Sequence, residues 1–422
     1  MRPVVVPATA REGRANEPAA LAGLAGRGFG ETVRRVEEMH SAIAARSFGA
    51  RGDSAGPVRT IHDGIAAASY GSVRAVGGAL GVIGELALRA RPPADAGEKL
   101  SRSPRGSLAL AALNGFLGDR LECERSELRF ETELREGGSV VPADRASLAV
   151  AYPRASPRLV VFLHGLCETE LAWRFGAQRL WGDPESTYGS RLQRELDVTP
   201  LYVRYNTGLH VSENGARLAR LLDDVVSSWP RDASELALVG HSMGGLVARS
   251  ACHFGERDGH EWVRATRRVV YLGTPHLGAP LEKVTHLAAA GLQALPETRP
   301  VATVLNARSA GIKDLRHGSL LDDDWADCDP DALLGDTCAE VPLLETADHH
   351  WVCATVTREP DCPLGRMVGD LLVLFSSASG RGSRRGRRIP FAEENGRHLG
   401  GATHFDLLNH PTVDEYLRAW LA

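Results

Sequence analysis

Residues 235–254 read ELALVGHSMGGLVARSACHF, and this stretch decides the fold. The apolar run ELALVGH is typical of a strand buried in a parallel sheet, and MGGLVARSACHF is typical of the helix that follows such a strand. The turn between them has the pattern G-x-S-x-G, formed by Gly240, His241, Ser242, Met243 and Gly244. Glycines on both sides permit a sharp strand-to-helix turn, which would expose Ser242 at the carboxyl edge of the sheet as a candidate nucleophile.

The sequence on both sides of this turn alternates between strand and helix patterns. Residues 212–229 show the periodicity of an amphipathic helix, with Ser212 as its expected N-cap. Strand patterns occur at 128–134, 147–153, 158–165, 200–206, 266–275 and 349–357, the first two being typical of edge strands. This alternation predicts an α/β fold with a mostly parallel sheet and helices on both faces.

A long segment separates the last two of these strands. Residues 276–348 are too many for an ordinary connection, and they contain a helical pattern at 281–295 and an acidic stretch at 322–336. An insertion at this point follows the carboxyl end of a strand, where ligands bind in open parallel sheets. We therefore expect a lid, in which Asp322, Asp323 and Asp324 are solvated.

The beginning of the chain predicts a helical extension. Helical periodicity fills 31–48, 61–88 and 108–121, and prolines from Pro92 to Pro104 indicate a linker. We expect a loose segment (1–28), a helical extension (29–121) and an α/β domain with its lid (122–422). Two interpretations of the extension remain open: its helices pack on the main domain or on each other, or they present a surface to membrane or lipid.

Composition excludes several classes of protein. The 422 residues are 43% hydrophobic and 24% charged, as in globular proteins, and the net charge of −4 argues against nucleic-acid binding. No apolar stretch is long enough for a membrane span, and the N-terminus does not resemble a secretory signal. We therefore expect a cytoplasmic protein, or one bound peripherally to a membrane through the N-terminal helices. The oligomeric state stays open.

The seven cysteines indicate reduced thiols, because no export signal is recognised. Cys328, Cys338, Cys353 and Cys362 cluster, but their spacing is not that of zinc ligands, so we predict no metal site. Whether these four form disulfides stays open.

Acyl transfer at Ser242 would need donors for a developing oxyanion. The backbone N–H of Met243 is one candidate. His164, Gly165 and Leu166 follow an earlier buried strand, and the N–H of Leu166 is the second candidate. Gly165 would let the backbone approach the substrate, and His164 would hold this loop by hydrogen bonds.

The sequences HGL at 164–166, GHSMGG at 240–245 and YLGTPHLGAP at 271–280 resemble the lipase and esterase branch of the α/β-hydrolases. RYNTGLHVSENGARLARLL at 204–222 is similar to bacterial lipases that resemble the glycosylphosphatidylinositol inositol-deacylases. The resemblance spans about residues 145–422 and leaves out the N-terminal helices. It implies the α/β-hydrolase fold, a triad in the chain order Ser, Asp or Glu, His, and no cofactor.

The resemblance also assigns the two triad partners. GDLLV at 369–373 resembles a segment whose Asp orients the catalytic His, which implies that role for Asp370, with Asp361 as the alternative. This chain has Leu371 where the family has Gly. HFDLL at 404–408 resembles the loop of the catalytic base, which implies His404, with His410 and His398 as alternatives.

The implied activity is that of a serine hydrolase. It would cleave carboxylic esters through an acyl-enzyme, and the apolar Leu166 with a long lid favours lipid-like acyl esters. A thioesterase or polyester depolymerase is the alternative, and a non-catalytic lipid-binding protein is a third. Asp406 matches a calcium ligand of related secreted lipases, but no second carboxylate accompanies it. Five arginines at 381–388 indicate a solvated loop, with attraction to anionic lipid as the alternative.

Overall fold

The computed structural model describes residues 17–49, 56–89, 103–279, 308–326, 338–360, 362–382 and 387–422. Three helices come first: α1 (Glu17–Gly49), α2 (Gly56–Arg89) and α3 (Pro104–Cys123). They lie where the periodicity predicts helices. Because α1 begins at Glu17, the expectation of a loose segment through residue 28 is wrong for residues 17–28. Residues 1–16 and most of the predicted linker lie outside the described residues.

The described strands form one sheet. They are β1 (Glu133–Glu136), β2 (Ser139–Val141), β3 (Arg158–Leu163), β4 (Thr199–Arg204), β5 (Glu235–His241), β6 (Thr266–Leu272), β7 (Asp348–Thr355) and β8 (Gly396–Gly400). Their order in the sheet is β2-β1-β4-β3-β5-β6-β7-β8. Strands β3 to β8 pair in parallel with their neighbours in this set, and β1 is antiparallel to both of its neighbours. The predicted, mostly parallel sheet is confirmed.

Both predicted edge strands need correction. The pattern at 128–134 becomes a strand only from Glu133, and Gly137 and Gly138, both with positive φ, turn the chain straight back into β2. The pattern at 147–153 is not a strand, because Arg145–Ala151 forms a helix, α4. The Asp144 side chain caps that helix by accepting two backbone N–H groups, and Leu148 is its one buried side chain.

The remaining described helices cover both faces of the sheet. They are α5 (Ala177–Trp181), α6 (Tyr188–Leu196), α7 (Val211–Ser228), α8 (Met243–Asp258), α9 (Glu261–Ala265), α10 (Ala310–Asp314), α11 (Pro363–Val368), α12 (Phe375–Ala378) and α13 (Pro411–Leu421). Alternate residues of β3 divide between two cores: Val161 packs with α7 and α8, and Phe162 packs with α6 and α13. This confirms the predicted helices on both faces. The expected N-cap at Ser212 is wrong, because α7 begins at Val211 and His210 occupies the N-cap position.

The third helix packs into the body of the sheet domain. Leu110 and Ala111 of α3 form a buried cluster with Leu128 and Phe130. The Asn114 amide donates to the carbonyls of Leu110 and Leu128 and accepts the N–H of Phe130. The interpretation that the extension packs on the main domain therefore holds for α3.

The first two helices pair with each other and leave one apolar face uncovered. A Cβ on Gly81 of α2 would lie 2.6 Å from the Cα of Gly26 of α1, so the helices touch backbone to backbone. The opposite side of α2 exposes Val76, Leu80 and Ile83, each at 61–65% of its full accessible surface. No described helix has the length and apolar character needed to cross a membrane.

The inserted segment is described at 276–279, 308–326 and 338–348, and its helical pattern at 281–295 lies outside the described residues. Asp324 is buried and accepts the N–H groups of Leu320, Leu321 and Ala339. The expectation that all three aspartates are solvated is therefore wrong for Asp324. Its carboxylate ties two parts of the insertion together, whereas Asp322 and Asp323 are exposed.

Candidate active site

Ser242 occupies the turn between β5 and α8 with φ 52° and ψ −122°, a strained conformation for a residue with a side chain. Its N–H donates to the Leu272 carbonyl (2.8 Å), which fixes the turn to the neighbouring strand. A Cβ on Gly244 would lie 2.3 Å from the Leu163 carbonyl oxygen, and one on Gly240 would lie 2.5 Å from a backbone nitrogen of α8. Only glycine fits at these two positions, as the sequence predicts.

Asp370 and His404 form a buried pair. The Nδ1 of His404 lies 2.7 Å from Oδ2 of Asp370, and the other carboxylate oxygen accepts the N–H groups of Leu372 and Val373. Because Nδ1 donates to the carboxylate, Nε2 is left to accept a proton. Leu371, which replaces the family's Gly, has φ 87° and an exposed side chain. The loop therefore keeps the backbone conformation that glycine favours, at a cost in strain.

The peptide between Leu272 and Gly273 connects the Asp370–His404 pair to the Ser242 turn. The Leu272 carbonyl accepts the Ser242 N–H, and a Cβ on the next residue, Gly273, would lie 3.0 Å from the His404 ring. In addition, Nε2 of His241 lies 3.2 Å from the His404 carbonyl oxygen. The Asp370–His404 pair therefore lies beside the strand ends that hold the Ser242 turn.

The two candidate oxyanion donors flank the same turn. A Cβ on Gly165 would lie 3.1 Å from the Ser242 Cβ, so the loop that contains Leu166 lies against the nucleophile. Met243 is the first residue of α8, so its N–H has no partner within the helix. Neither the Met243 nor the Leu166 N–H donates to another described residue. Both groups are available to a substrate oxygen.

His164 holds the loop that contains Leu166 by hydrogen bonds. Its Nδ1 donates to the Gly165 carbonyl (2.9 Å), and its Nε2 accepts the Tyr205 N–H (3.3 Å). Burial lowers the pKa of His164 to about 4, so the ring is neutral at neutral pH. Both ring nitrogens are occupied, which matches the structural role expected of His164.

Glu168 is a further residue of the site, and the sequence motifs do not predict it. Its largely enclosed carboxylate accepts the Gly165 N–H (2.6 Å) and lies 3.2 Å from Nδ1 of His241. The available signal was an acid three residues after the glycine of the HGL motif, a spacing at which a side chain can accept a backbone N–H of its own loop. Its contact with His241, 73 residues away, cannot be predicted from the neighbouring sequence.

The alternative residues have other partners. His410 caps α13 by accepting the Thr412 N–H (3.2 Å), so it marks a helix start. His398 lies 2.8 Å from the Thr355 hydroxyl. Asp361 lies outside the described residues.

Asp406 and the clustered cysteines are the other residues that the sequence singles out. Asp406 accepts the N–H and the hydroxyl of Thr403, and no group of three described His, Cys, Asp or Glu side chains could hold a metal ion. Cys353 is a buried free thiol, and Cys328 lies outside the described residues. Of the five arginines at 381–388, Arg384 and Arg385 also lie outside the described residues. The expectation of a solvated loop is wrong for Arg387, which is half-buried and donates to the His317 carbonyl.

Comparisons with known proteins agree with this architecture. Residues 158–330 match the family model described as the PGAP1-like alpha/beta domain. A search of curated protein sequences found no match.

Similar solved structures include a mature lipase of Bacillus licheniformis, with 19% identity and a TM-score of 0.41 over 64% of this chain and 93% of that one. A lipase-esterase related protein of Clostridium acetobutylicum has 14% identity and a TM-score of 0.32 over 63% and 96% of the two chains. The phospholipase PlaB of Legionella pneumophila has 12% identity and a TM-score of 0.38 over 63% and 59%. The chain has the α/β-hydrolase fold, and the predicted resemblance to the PGAP1-like branch is confirmed by the family match.

Proposed function

We propose that this α/β-hydrolase, which carries a PGAP1-like alpha/beta domain, cleaves carboxylic esters through Ser242, Asp370 and His404. The observation that carries the proposal is the buried Asp370–His404 pair, with 2.7 Å between Oδ2 and Nδ1, at the sheet edge where Ser242 occupies its strained turn. This is the chain order and the arrangement that the triad mechanism requires.

The reaction proceeds in two halves. Ser242 Oγ attacks the ester carbonyl while Nε2 of His404 takes its proton, and the N–H groups of Leu166 and Met243 stabilise the oxyanion. The carbon–oxygen bond to the alcohol then breaks, and His404 gives the proton to the departing alcohol. Water attacks the acyl-enzyme with His404 again as base, which releases the acid and restores Ser242. Asp370 stabilises the imidazolium in both halves.

Apolar groups beside the site support lipid-like acyl esters as substrates. Phe405 follows His404 directly and is exposed, and the exposed ring of Phe175 lies 6.0 Å from it between centroids. Leu166 adds a bulky apolar side chain at the oxyanion loop. Exposed aromatic side chains beside the site favour contact with the apolar acyl chain of a substrate.

The proposed partner beyond the substrate is a membrane or lipid surface on the cytoplasmic side. The exposed face of α2, with Val76, Leu80 and Ile83, would contact it peripherally. No cofactor takes part in the proposed reaction.

A substrate panel tests the proposed function. Wild type and Ser242→Ala are assayed on p-nitrophenyl esters of graded chain length, acyl-CoA and polyhydroxyalkanoate. We expect hydrolysis that rises with acyl chain length and disappears in Ser242→Ala. A preference for acyl-CoA or polyester would favour the thioesterase or depolymerase alternative, and no hydrolysis of any ester would contradict the proposal.

A further inference from the structure

Glu168 connects two parts of the candidate active site that the triad leaves separate. One oxygen, Oε2, accepts the Gly165 N–H at 2.6 Å and lies 3.2 Å from Nδ1 of His241. On its other side, the His241 ring lies 3.2 Å from the carbonyl oxygen of His404 through Nε2. The chain of contacts therefore runs from the oxyanion loop, past the nucleophile turn, to the loop of the base.

The partners of His241 determine its protonation state. An ionised carboxylate and a backbone carbonyl are both acceptors only, so His241 satisfies both when each ring nitrogen carries a proton. Burial by itself would lower the pKa of His241, but the charge and hydrogen bond of Glu168 outweigh it and raise the pKa above its usual value. Asp370 adds a smaller effect in the same direction.

The pKa of the Glu168 carboxyl shifts in the opposite direction. Burial by itself would raise the pKa of Glu168, but the His241 charge and the Gly165 N–H hold it below its usual range. Both side chains are almost fully enclosed, where an ion pair is stable only when its remaining hydrogen bonds are satisfied. Each charged group here has the second hydrogen bond that this condition requires.

We propose that Glu168 and His241 are positioning residues, an ion pair that holds the oxyanion loop, the Ser242 turn and the His404 loop in one fixed arrangement. This inference rests on the proposed ester hydrolysis. Ser242 and Leu166 are the immediate neighbours of His241 and Gly165, so a shift of the pair moves the nucleophile against its oxyanion donor. Small misplacements of this kind cost catalysis more than binding.

The test compares Glu168→Gln with Glu170→Gln. Glu170 is a matched control, because it lies two residues further on and is also buried, in an ion pair with Arg204 (2.6 Å) that touches no triad residue. We expect Glu168→Gln to lower kcat roughly 10- to 100-fold with KM nearly unchanged. Glu170→Gln should lower the unfolding midpoint and leave kcat of the folded enzyme unchanged.

A second measurement reports the state of the pair in the wild-type protein itself, and Glu168→Gln serves as its comparison. Nitrogen NMR of the histidine side chains in the wild-type protein at pH 7 should show both His241 ring nitrogens protonated, and in Glu168→Gln His241 should become neutral. A neutral His241 in wild type, or a Glu168→Gln enzyme with wild-type kcat, would overturn the proposal. Wild type that hydrolyses no ester would instead contradict the proposed function, and the NMR result would still decide the state of the pair.

Discussion

Asp370 holds His404 at both the side chain and the backbone. Oδ2 of Asp370 lies 2.7 Å from Nδ1 of His404, and the Asp370 carbonyl accepts the His404 N–H at 3.0 Å. The aspartate therefore fixes the ring orientation and the loop from which the ring projects. Since both side chains are buried, solvent does not compete for either contact.

The triad assignment predicts unequal losses. His404→Ala should lower kcat for a soluble ester by roughly 10⁴-fold or more. Asp370→Asn should cost somewhat less, because Ser242 and His404 both remain, although asparagine no longer holds the tautomer in which Nε2 accepts the proton. Initial rates on p-nitrophenyl acetate measure both. His410→Ala is the matched control, since His410 caps α13, and it should stay near the wild-type rate. The reverse pattern, with His410→Ala inactive, would move the base to another loop.

The strained turn predicts that replacing Ser242 with glycine removes activity but raises the stability of the fold. Ser242 holds φ 52° with a side chain, so Ser242→Gly should relieve strain and stabilise the fold by about 1 kcal/mol after the entropy cost of glycine. Urea unfolding of the two proteins measures this difference. Ser242→Ala keeps Cβ and should unfold near the wild-type midpoint. A Ser242→Gly protein less stable than Ser242→Ala would show that the turn stores no strain.

Buried His164 predicts a loss of stability on acidification. Its folded pKa is about 4 and its unfolded value is near 6.5, so between these values the unfolded chain binds the extra proton and stability rises with pH. The contribution is complete above pH 6.5 and falls by about 3 kcal/mol toward pH 4. Urea unfolding at several pH values should give a shallower dependence for His164→Gln. Parallel curves for the two proteins would contradict this account.

The packing of the helical extension predicts different outcomes for two truncated proteins. A protein that lacks residues 1–102 keeps α3, so it should fold and hydrolyse soluble esters, but it should lose activity on lipid vesicles because the exposed face of α2 is gone. A protein that lacks residues 1–123 loses α3 and exposes Leu128 and Phe130, so it should aggregate. Full activity of the first truncation on vesicles would contradict the lipid-surface role.

Local patterns made much of this fold predictable. The strand at 235–241, the turn at Ser242 and the helix after it follow from hydrophobic periodicity and glycine placement, which act over a few residues. The strand predicted at 147–153 is wrong. Its apolar positions fit a strand, but the side chain of Asp144 caps a helix that begins at Arg145.

Contacts between distant residues could not be predicted in this way. Glu168 meets His241 across 73 residues, and Asp324 is buried although its two acidic neighbours are exposed. Likewise, the apolar periodicity of α2 predicts a helix, but the sequence does not reveal that α1 packs against its glycines and leaves Val76 and Leu80 exposed. These features depend on which surfaces the fold brings together.

Labelling of the nucleophile tests the central claim most directly. The wild-type protein is incubated with a fluorophosphonate probe at neutral pH, and the modified residue is identified by peptide mass spectrometry. Only a serine activated by a base reacts readily with this reagent. The account predicts one adduct, on Ser242, which disappears in Ser242→Ala and forms much more slowly in His404→Ala. No adduct on wild type, or an adduct on another serine, would contradict it.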